Sequence, residues 1–442
     1  MKRQGNLMAA IAEPDNLRRA FWKAAKSKRG KEDCRAFQAQ LDTRLAELRS
    51  ELLEGRVSVG EYHTFLIKDP KERMICAASF RERVLHHAMM NVCAPALERA
   101  AIFDSYACRE GKGQQAAVLR AASHARHHGW FLKMDIRKYF DSIDHAILLR
   151  LLERKFKDAS VMKLFRRILD SYETSPGCGL PIGNLTSQHF ANHYLAPVDR
   201  LITEQLGGSA HVRYMDDFVV WGNSRAGMRE TWRRVEEFLT TELRLELKAN
   251  VSLNRTSHGM DFLGCRVFPH GVRLARRSKL RFQRKFRAHE RERVEGRWTD
   301  LESQQRVTAL VAFTLPWRSR NFRSHVVRRF GVAANRPEPR APRRQLEQQC
   351  QQLPVGEPQQ QQSGQRQQQQ RLPGCSGPSS TRASADAPAD PAAIPSSWQL
   401  AMRRTRDHNG PVSVADQDDA NAPGHSPPCP SPESLESKTP PH

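Results

Sequence analysis

The spacing of apolar residues predicts the clearest elements of this chain. In Trp130-Phe131-Leu132-Lys133-Met134-Asp135-Ile136 an apolar run closes on a carboxylate. Arg137, Lys138, Tyr139 and Phe140 follow, and Asp141-Ser142-Ile143-Asp144 then leads into a leucine-rich stretch. This order predicts strand, carboxylate, short loop and helix. The helix covers Ala146-Ile147-Leu148-Leu149, and its first amides need acceptors, so Asp141 and Asp144 read as helix caps. A second pattern, His211-Val212-Arg213 before and Phe218-Val219-Val220-Trp221 after Tyr214-Met215-Asp216-Asp217, predicts a hairpin with acids at its tip. Leu41, Leu45, Leu48 and Leu52 are spaced for an amphipathic helix. Leu274, Leu280, Phe282 and Phe286 lie among Arg273, Arg276, Arg277, Lys279, Arg281, Arg284, Lys285 and Arg287, which predicts a strongly basic helix.

Composition divides the chain near residue 335. Beyond it, Gln359 to Gln362 and Gln367 to Gln370 are glutamine runs, and proline and serine dominate the end. Such a segment cannot bury enough apolar surface to offset its ordering entropy, so residues 336–442 are expected to be a disordered tail. That tail holds 11 basic and 11 acidic residues, so the entire net charge of +23 belongs to residues 1–335. Basic surface on this scale binds phosphate backbones without sequence preference. No apolar run is long enough for a bilayer and the start lacks a signal peptide's apolar core, so a cytoplasmic protein with no membrane partner is expected. The nine cysteines include no Cys-x-x-Cys pair, which argues against a disulfide framework or zinc knuckle. His189 and His193 have the spacing of a zinc pair but no glutamate between them, and they read as surface or supporting histidines.

The acids carry the candidate chemistry. Adjacent carboxylates repel when ionised, so they share a proton or hold a divalent cation. A third carboxylate at a strand end would complete a set of hard oxygen ligands suited to Mg²⁺, which keeps waters and takes substrate phosphates as further ligands. Two such ions about 3.5–4 Å apart serve in-line phosphoryl transfer.

Residues 133–140, Lys-Met-Asp-Ile-Arg-Lys-Tyr-Phe, together with Tyr214-Met215-Asp216-Asp217, resemble the two metal-binding motifs of reverse transcriptases. Between them, residues 179–188, Gly-Leu-Pro-Ile-Gly-Asn-Leu-Thr-Ser-Gln, are similar to the family's third motif, where template and incoming nucleotide meet. Gly259-Met260-Asp261-Phe262-Leu263-Gly264 resembles the primer grip, and Pro70 to Arg73, Phe80 to Arg83 and Ser105 to Gly113 resemble the fingers.

The resemblance implies an α+β fold of right-hand polymerase architecture: palm and fingers around an antiparallel palm sheet, with a helical thumb. The corresponding boundaries are an N-terminal helical segment at 1–59, fingers and palm at 60–270, a basic thumb at 271–335 and the tail. It implies RNA-directed DNA synthesis with two Mg²⁺ ions, an RNA template, a DNA or RNA primer and deoxynucleoside triphosphates. Asp135, Asp216 and Asp217 would be catalytic and, with the Ile136 carbonyl, would hold metal. Lys68, Arg73, Phe140, Gly183, Gln188 and Met215 would bind nucleotide; Lys71 is an alternative to Lys68. Phe140 stands where the family carries a steric gate against the ribose 2′-hydroxyl, and is otherwise a core aromatic. Arg109, Lys112, Ser187, Phe262, Leu263 and Gly264 would bind template and primer. Lys248 would protonate the leaving pyrophosphate, with a surface lysine as the alternative.

Within the family, Ile182-Gly183 followed by Ser187-Gln188 resembles diversity-generating retroelement enzymes, which work with a small basic accessory protein. A group II intron-like or retron enzyme, an RNA polymerase with the same palm chemistry and an inactive RNA-binding protein are the alternatives. Intact Asp135, Asp216 and Asp217 argue against the last, because three acids in a phosphate-binding cleft would weaken binding unless metals occupied them.

Overall fold

The computed structural model describes residues 3–68, 72–207 and 210–331. The expected tail at 336–442 and the Pro70-Lys71 part of the first fingers-like motif lie outside the described residues. The described residues up to 299 and from 305 to 331 form one compact unit, and in the second unit only Asp300–Gln304 are described.

Four helices open the chain: α1 (Leu7–Ile11), α2 (Pro14–Ala25), α3 (Glu32–Ala39) and α4 (Leu41–Leu53). Leu45, Leu48 and Leu52 of α4 are buried, as their spacing predicts, and Leu17, Phe21 and Ala24 of α2 point into the same core. A hairpin of β1 (Tyr62–Ile67) and β2 (Arg73–Ala78) follows, then α5 (Phe80–Ala100) and α6 (Gln114–His127). Ser79 caps α5 by accepting the Glu82 amide at 3.3 Å, while the Glu82 carboxylate accepts the Gly60 and Glu61 amides that lead into β1.

The predicted strand is β3 (Trp130–Asp135), and a 3₁₀ turn (Tyr139–Ser142) and α7 (His145–Glu153) follow it. Asp144 caps α7, accepting the Ile147 amide at 2.9 Å. Asp141 does not act as a cap, because it lies inside the 3₁₀ turn and its own amide bonds back to the Lys138 carbonyl. Helices α8 (Ala159–Asp170), α9 (Leu185–Tyr194) and α10 (Ala196–Arg200) and a π-helical turn (Leu201–Gln205) lead to β4 (His211–Tyr214) and β5 (Asp217–Gly222). After α11 (Arg225–Leu243) come β6 (Ser252–Arg255), β7 (Met260–Phe262), β8 (Cys265–Phe268) and β9 (Gly271–Leu274).

An antiparallel sheet in the order β4-β5-β3-β6 organises the molecule, and β7-β8-β9 form a second antiparallel sheet. Successive side chains of a strand face opposite sides, and both sides of this sheet are covered. Leu132, Met134, Phe218 and Val220 pack into a large core with α5, α7 and α9. Phe131, Val212, Val219 and Trp221 pack into a second core with α6 and the β7–β9 sheet. That double burial explains why β3 and β5 read as nearly unbroken apolar runs. Each fully buried Leu or Phe contributes about 1.5–3 kcal/mol relative to exposure.

The predicted basic helix is α12 (Arg276–Val294), followed by α13 (Asp300–Ala312) and α14 (Arg320–Phe330). Phe282 and Phe286 of α12 are buried and Phe282 packs edge-on against Phe322 of α14. Leu280 is exposed, because it faces away from that aromatic contact. No helix among the described residues is long and apolar enough to cross a membrane.

Candidate active site

The hairpin register brings the acids together. Asp135 at the end of β3 lies directly opposite Asp217 at the start of β5, and Tyr214 pairs with Asp217 across a two-residue turn of Met215 and Asp216. Met215 has a φ of 59°, a left-handed conformation that costs a non-glycine residue about 1–2 kcal/mol. A buried network holds the turn against that cost. Arg213, 1% exposed, grips both oxygens of Asp199 at 2.8 and 2.7 Å, and donates to the Met215 carbonyl and to Asn192 Oδ1 at 3.1 Å.

The chain after Asp135 is fixed by a segment following α11. The Arg137 amide donates to the Glu246 carbonyl and the Lys248 amide to the Asp135 carbonyl, each at 2.8 Å, with Ile136 facing Leu247 in a single bridge. In that antiparallel pattern the peptide groups of Ile136 point away from 246–248, toward the side on which β5 begins.

Two lysines answer the negative charge. Lys248 Nζ lies 2.6 Å from Asp135 Oδ1, and Lys133 Nζ lies 3.2 Å from Asp217 Oδ2. Asp217 Oδ1 is buried without a hydrogen-bond partner. Burial pushes the Asp217 carboxyl up to about 6 against the pull of Lys133, and burial with the neighbouring Asp135 charge raises Asp216. Among the described residues, no three His, Cys, Asp or Glu side chains are arranged to hold a metal ion as they stand. The donors nevertheless fit one chemically: Asp216 and Asp217 have a raised affinity for protons, and one Asp217 oxygen is unsatisfied. A cavity of about 310 Å³ opens beside Asp135, lined in part by Lys133, Asn250, Ser252, Asn254 and Arg266.

Phe140, in the 3₁₀ turn, is partly buried against the large core, and its carbonyl accepts the Leu180 amide at 2.8 Å. This bond ties the 179–188 segment to the strand that bears Asp135. Gly183 has a φ of 128°, and a Cβ there would lie 3.0 Å from Ile75 and 3.1 Å from the Cys76 carbonyl of β2. The Cys76 amide donates to the Ile182 carbonyl, so this glycine permits a close approach of two backbones. Ser187 is buried on α9, and Gln188 Oε1 accepts from Cys108 Sγ at 3.2 Å. Lys68 and Arg73 are exposed at the tip of β1–β2, where Ile67 pairs with Arg73; Lys71 lies outside the described residues.

Phe262 ends β7, and Leu263 and Gly264 form its turn into β8, with φ values of 48° and 79°. Gln114 of α6 donates to the Leu263 carbonyl at 2.6 Å, and Ser278 of α12 to the Gly264 carbonyl at 2.7 Å. Arg109 is largely buried among its partners, whereas Lys112 lies at the surface over the exposed Phe103 ring. Arg109 pairs with Glu98 at 2.6 Å and donates to the Ile102 and Ser105 carbonyls; Lys112 donates to the Phe103 carbonyl and covers its ring.

Sequence reasoning missed Lys133, Arg213, Asp199, Asn192 and Gln114. Lys133 and Arg213 carried a signal, since each is a cation inside an otherwise apolar strand; the other three had none. His193 is not a surface residue: it is buried, its Nε2 lies 3.2 Å from the Leu151 carbonyl, and burial lowers its pKa to about 4. The described cysteines are free.

Residues 67–267 match the family model described as reverse transcriptase (RNA-dependent DNA polymerase). Protein YkfC of Escherichia coli is 26% identical over 213 residues, covering 45% of this chain and 56% of that protein. The COX1/OXI3 intron 2 protein of Saccharomyces cerevisiae is 22% identical over 138 residues, covering 29% of this chain and 16% of that one. The chain thus spans about half the length of the first relative and less of the second. A telomerase structure from Candida albicans, solved with a fragment of telomeric RNA, aligns with a TM-score of 0.36 at 11% identity, covering 60% of this chain and 54% of that one.

Proposed function

We propose that the reverse transcriptase domain at residues 67–267 makes this chain an RNA-directed DNA polymerase that extends a DNA or RNA primer on an RNA template with deoxynucleoside triphosphates. The observation that carries the reading is the register pair of Asp135 and Asp217 with Asp216 in the adjoining turn. Asp135, Asp216, the Ile136 carbonyl and Asp217 would hold two Mg²⁺ ions. Such ions supply charge stabilisation to the attacking and leaving oxygens of in-line nucleotidyl transfer. The chain's own residues do the rest. Asp135 and Asp216 present oxygens to one side of the sheet, and the Arg213 network keeps the turn in place. Phe140, tied to the 179–188 segment, would stack beneath a deoxyribose and crowd a ribose 2′-hydroxyl. Lys248, which contacts Asp135, would donate a proton to the leaving pyrophosphate.

In this reading β1–β2 and α5 act as fingers, the four-stranded sheet as palm and residues 271–335 as a basic thumb that grips the duplex backbone. Lys68 and Arg73 would meet triphosphate oxygens, and Phe262, Leu263 and Gly264 would support the primer. Gly183, Gln188, Met215 and Ser187 would line the nascent pair. Arg109 and Lys112 serve this reading as braces of the 102–105 loop. The Ile182-Gly183 and Ser187-Gln188 pattern favours a diversity-generating retroelement with a small basic accessory protein. The names of the intron-encoded relatives favour a second reading, a group II intron-type enzyme.

Primer extension on an RNA template with Mg²⁺, comparing wild type with Asp216→Asn, tests the activity. The expected outcome is synthesis by wild type alone, with a loss of about a thousandfold or more in the variant and RNA retention on a filter unchanged. Synthesis by both proteins, or equal loss of synthesis and RNA binding in a folded variant, would overturn the role of Asp216. Errors opposite template adenines would separate the diversifying reading from the intron reading.

A further inference from the structure

Lys133 touches both halves of the site. It stands two residues before Asp135 on the same face of β3, and its cross-strand partner Val219 stands two residues after Asp217. That diagonal lets a long side chain reach the acid. The ammonium lies 3.2 Å from Asp217 Oδ2, donates to the Asp261 carbonyl at 2.8 Å, and sits 5.8 Å from the centre of the Phe262 ring. Asp261 and Phe262 are the last residues of β7 before the Leu263–Gly264 turn. The turn's other supports, Gln114, Ser278 and the Ala275 amide, come from segments that do not carry the acids. Lys248, the other lysine of the site, is committed to Asp135 on a separate segment.

We propose that Lys133 is a positioning residue that couples the acid hairpin to the β7–β8 turn, holding Asp217 and the turn at a fixed separation through one ammonium. This rests on the polymerase reading for its consequence. A primer hydroxyl held by the β7–β8 turn reacts at the acids, and a displacement of about 1 Å can cost about a hundredfold in rate. An ammonium offers three donors on a flexible stem, so one group can satisfy a carboxylate and a carbonyl from different elements. Its loss therefore alters the alignment of the primer terminus and leaves nucleotide capture largely untouched.

The test pairs two measurements on the full chain. Amide hydrogen exchange of residues 260–268 reads the coupling without requiring activity, and single-turnover primer extension reads its consequence. In Lys133→Met the hairpin amides are expected to exchange about tenfold faster while those of α7 and α9 keep their rates. Asp217→Asn should speed the same amides, and the double variant should add little to either single change. Extension at saturating nucleotide should fall about tenfold or more with the nucleotide KM within about twofold, and Lys133→Arg should restore most of both signals. Wild-type exchange in Lys133→Met would overturn the coupling, and a change confined to the nucleotide KM would overturn its consequence. If Lys133→Met loses protection throughout, Lys133→Gln carries the same comparison, because its amide can donate to the Asp261 carbonyl but cannot neutralise Asp217. A wild type that extends no primer would count against the polymerase reading, and the exchange comparison would still decide the coupling.

Discussion

Met215 and Leu263 occupy the same place in two hairpins, the first residue of a two-residue turn, and each has a positive φ, 59° and 48°. Asparagine or glycine would suit either turn better. In the β4–β5 hairpin the strain is held from within. The Arg213 guanidinium lies in the core against Asp199 and reaches the Met215 carbonyl at 3.1 Å. In the β7–β8 hairpin it is held from outside by Gln114, Ser278 and the Ala275 amide, which bond the Leu263 and Gly264 carbonyls. The acid-bearing turn is therefore tied to a buried ion pair, whereas Leu263 and Gly264 of the second turn rest on neutral bonds, with Lys133 as a charged tie through the Asp261 carbonyl.

Breaking the inner support should produce the larger effect on stability. Arg213→Met strands a buried Asp199 carboxylate, and removing one partner of such a pair costs about 3–5 kcal/mol. Urea unfolding should register that loss across the whole molecule; a change below about 1 kcal/mol would mean that Asp199 finds another partner.

Acid should weaken the same side next. Burial lowers His87, His193 and His211 each to about 4, and His211 belongs to β4. A histidine whose folded pKa lies below its unfolded value near 6.5 contributes stability that is complete above that value and is lost as pH falls toward 4. Asp217, pushed up to about 6, works in the opposite direction, because its protonation relieves a cost present at neutral pH. Asp216, also raised, works in the same direction as Asp217; three histidines outweigh the two acids, so the melting temperature should fall between pH 6.5 and 4. A constant melting temperature over that range would contradict the burial of these rings.

The outer support gives the smallest change. At Gly264 the φ is 79° and a Cβ would lie 2.9 Å from Ser278 Oγ, so Gly264→Ala should cost about 1–3 kcal/mol. Hydrogen exchange should confine the loosening to β7, β8 and the start of α12. Spread of the effect beyond the Lys133 contact, into β4, would show that the second turn is not a local support.

Much of the site was legible because strand and turn chemistry are local. An apolar run ending in Asp135 and a second acid pair between apolar flanks specify a strand and a hairpin before any packing is known. The caps were half legible: Asp144 accepts a helix amide as expected, whereas Asp141 sits inside a 3₁₀ turn closed by its own amide onto the Lys138 carbonyl. Of the two readings given for His193, surface or supporting, the structure excludes the first, because α7 lies against it.

The sequence by itself determined the strand with its following helix, the acid hairpin with its carboxylates and the basic helix, since each follows from residue spacing within a few turns or strands of chain. Tertiary structure alone decided what each charge meets. Lys133 meets Asp217 and a carbonyl 128 residues away, Lys248 meets Asp135 across 113, and Arg109 is committed to Glu98 and nearby carbonyls. A charged side chain is indifferent to its neighbours in sequence and is fixed by whichever opposite charge the fold brings within a few ångströms, at a burial that sets the strength of the attraction.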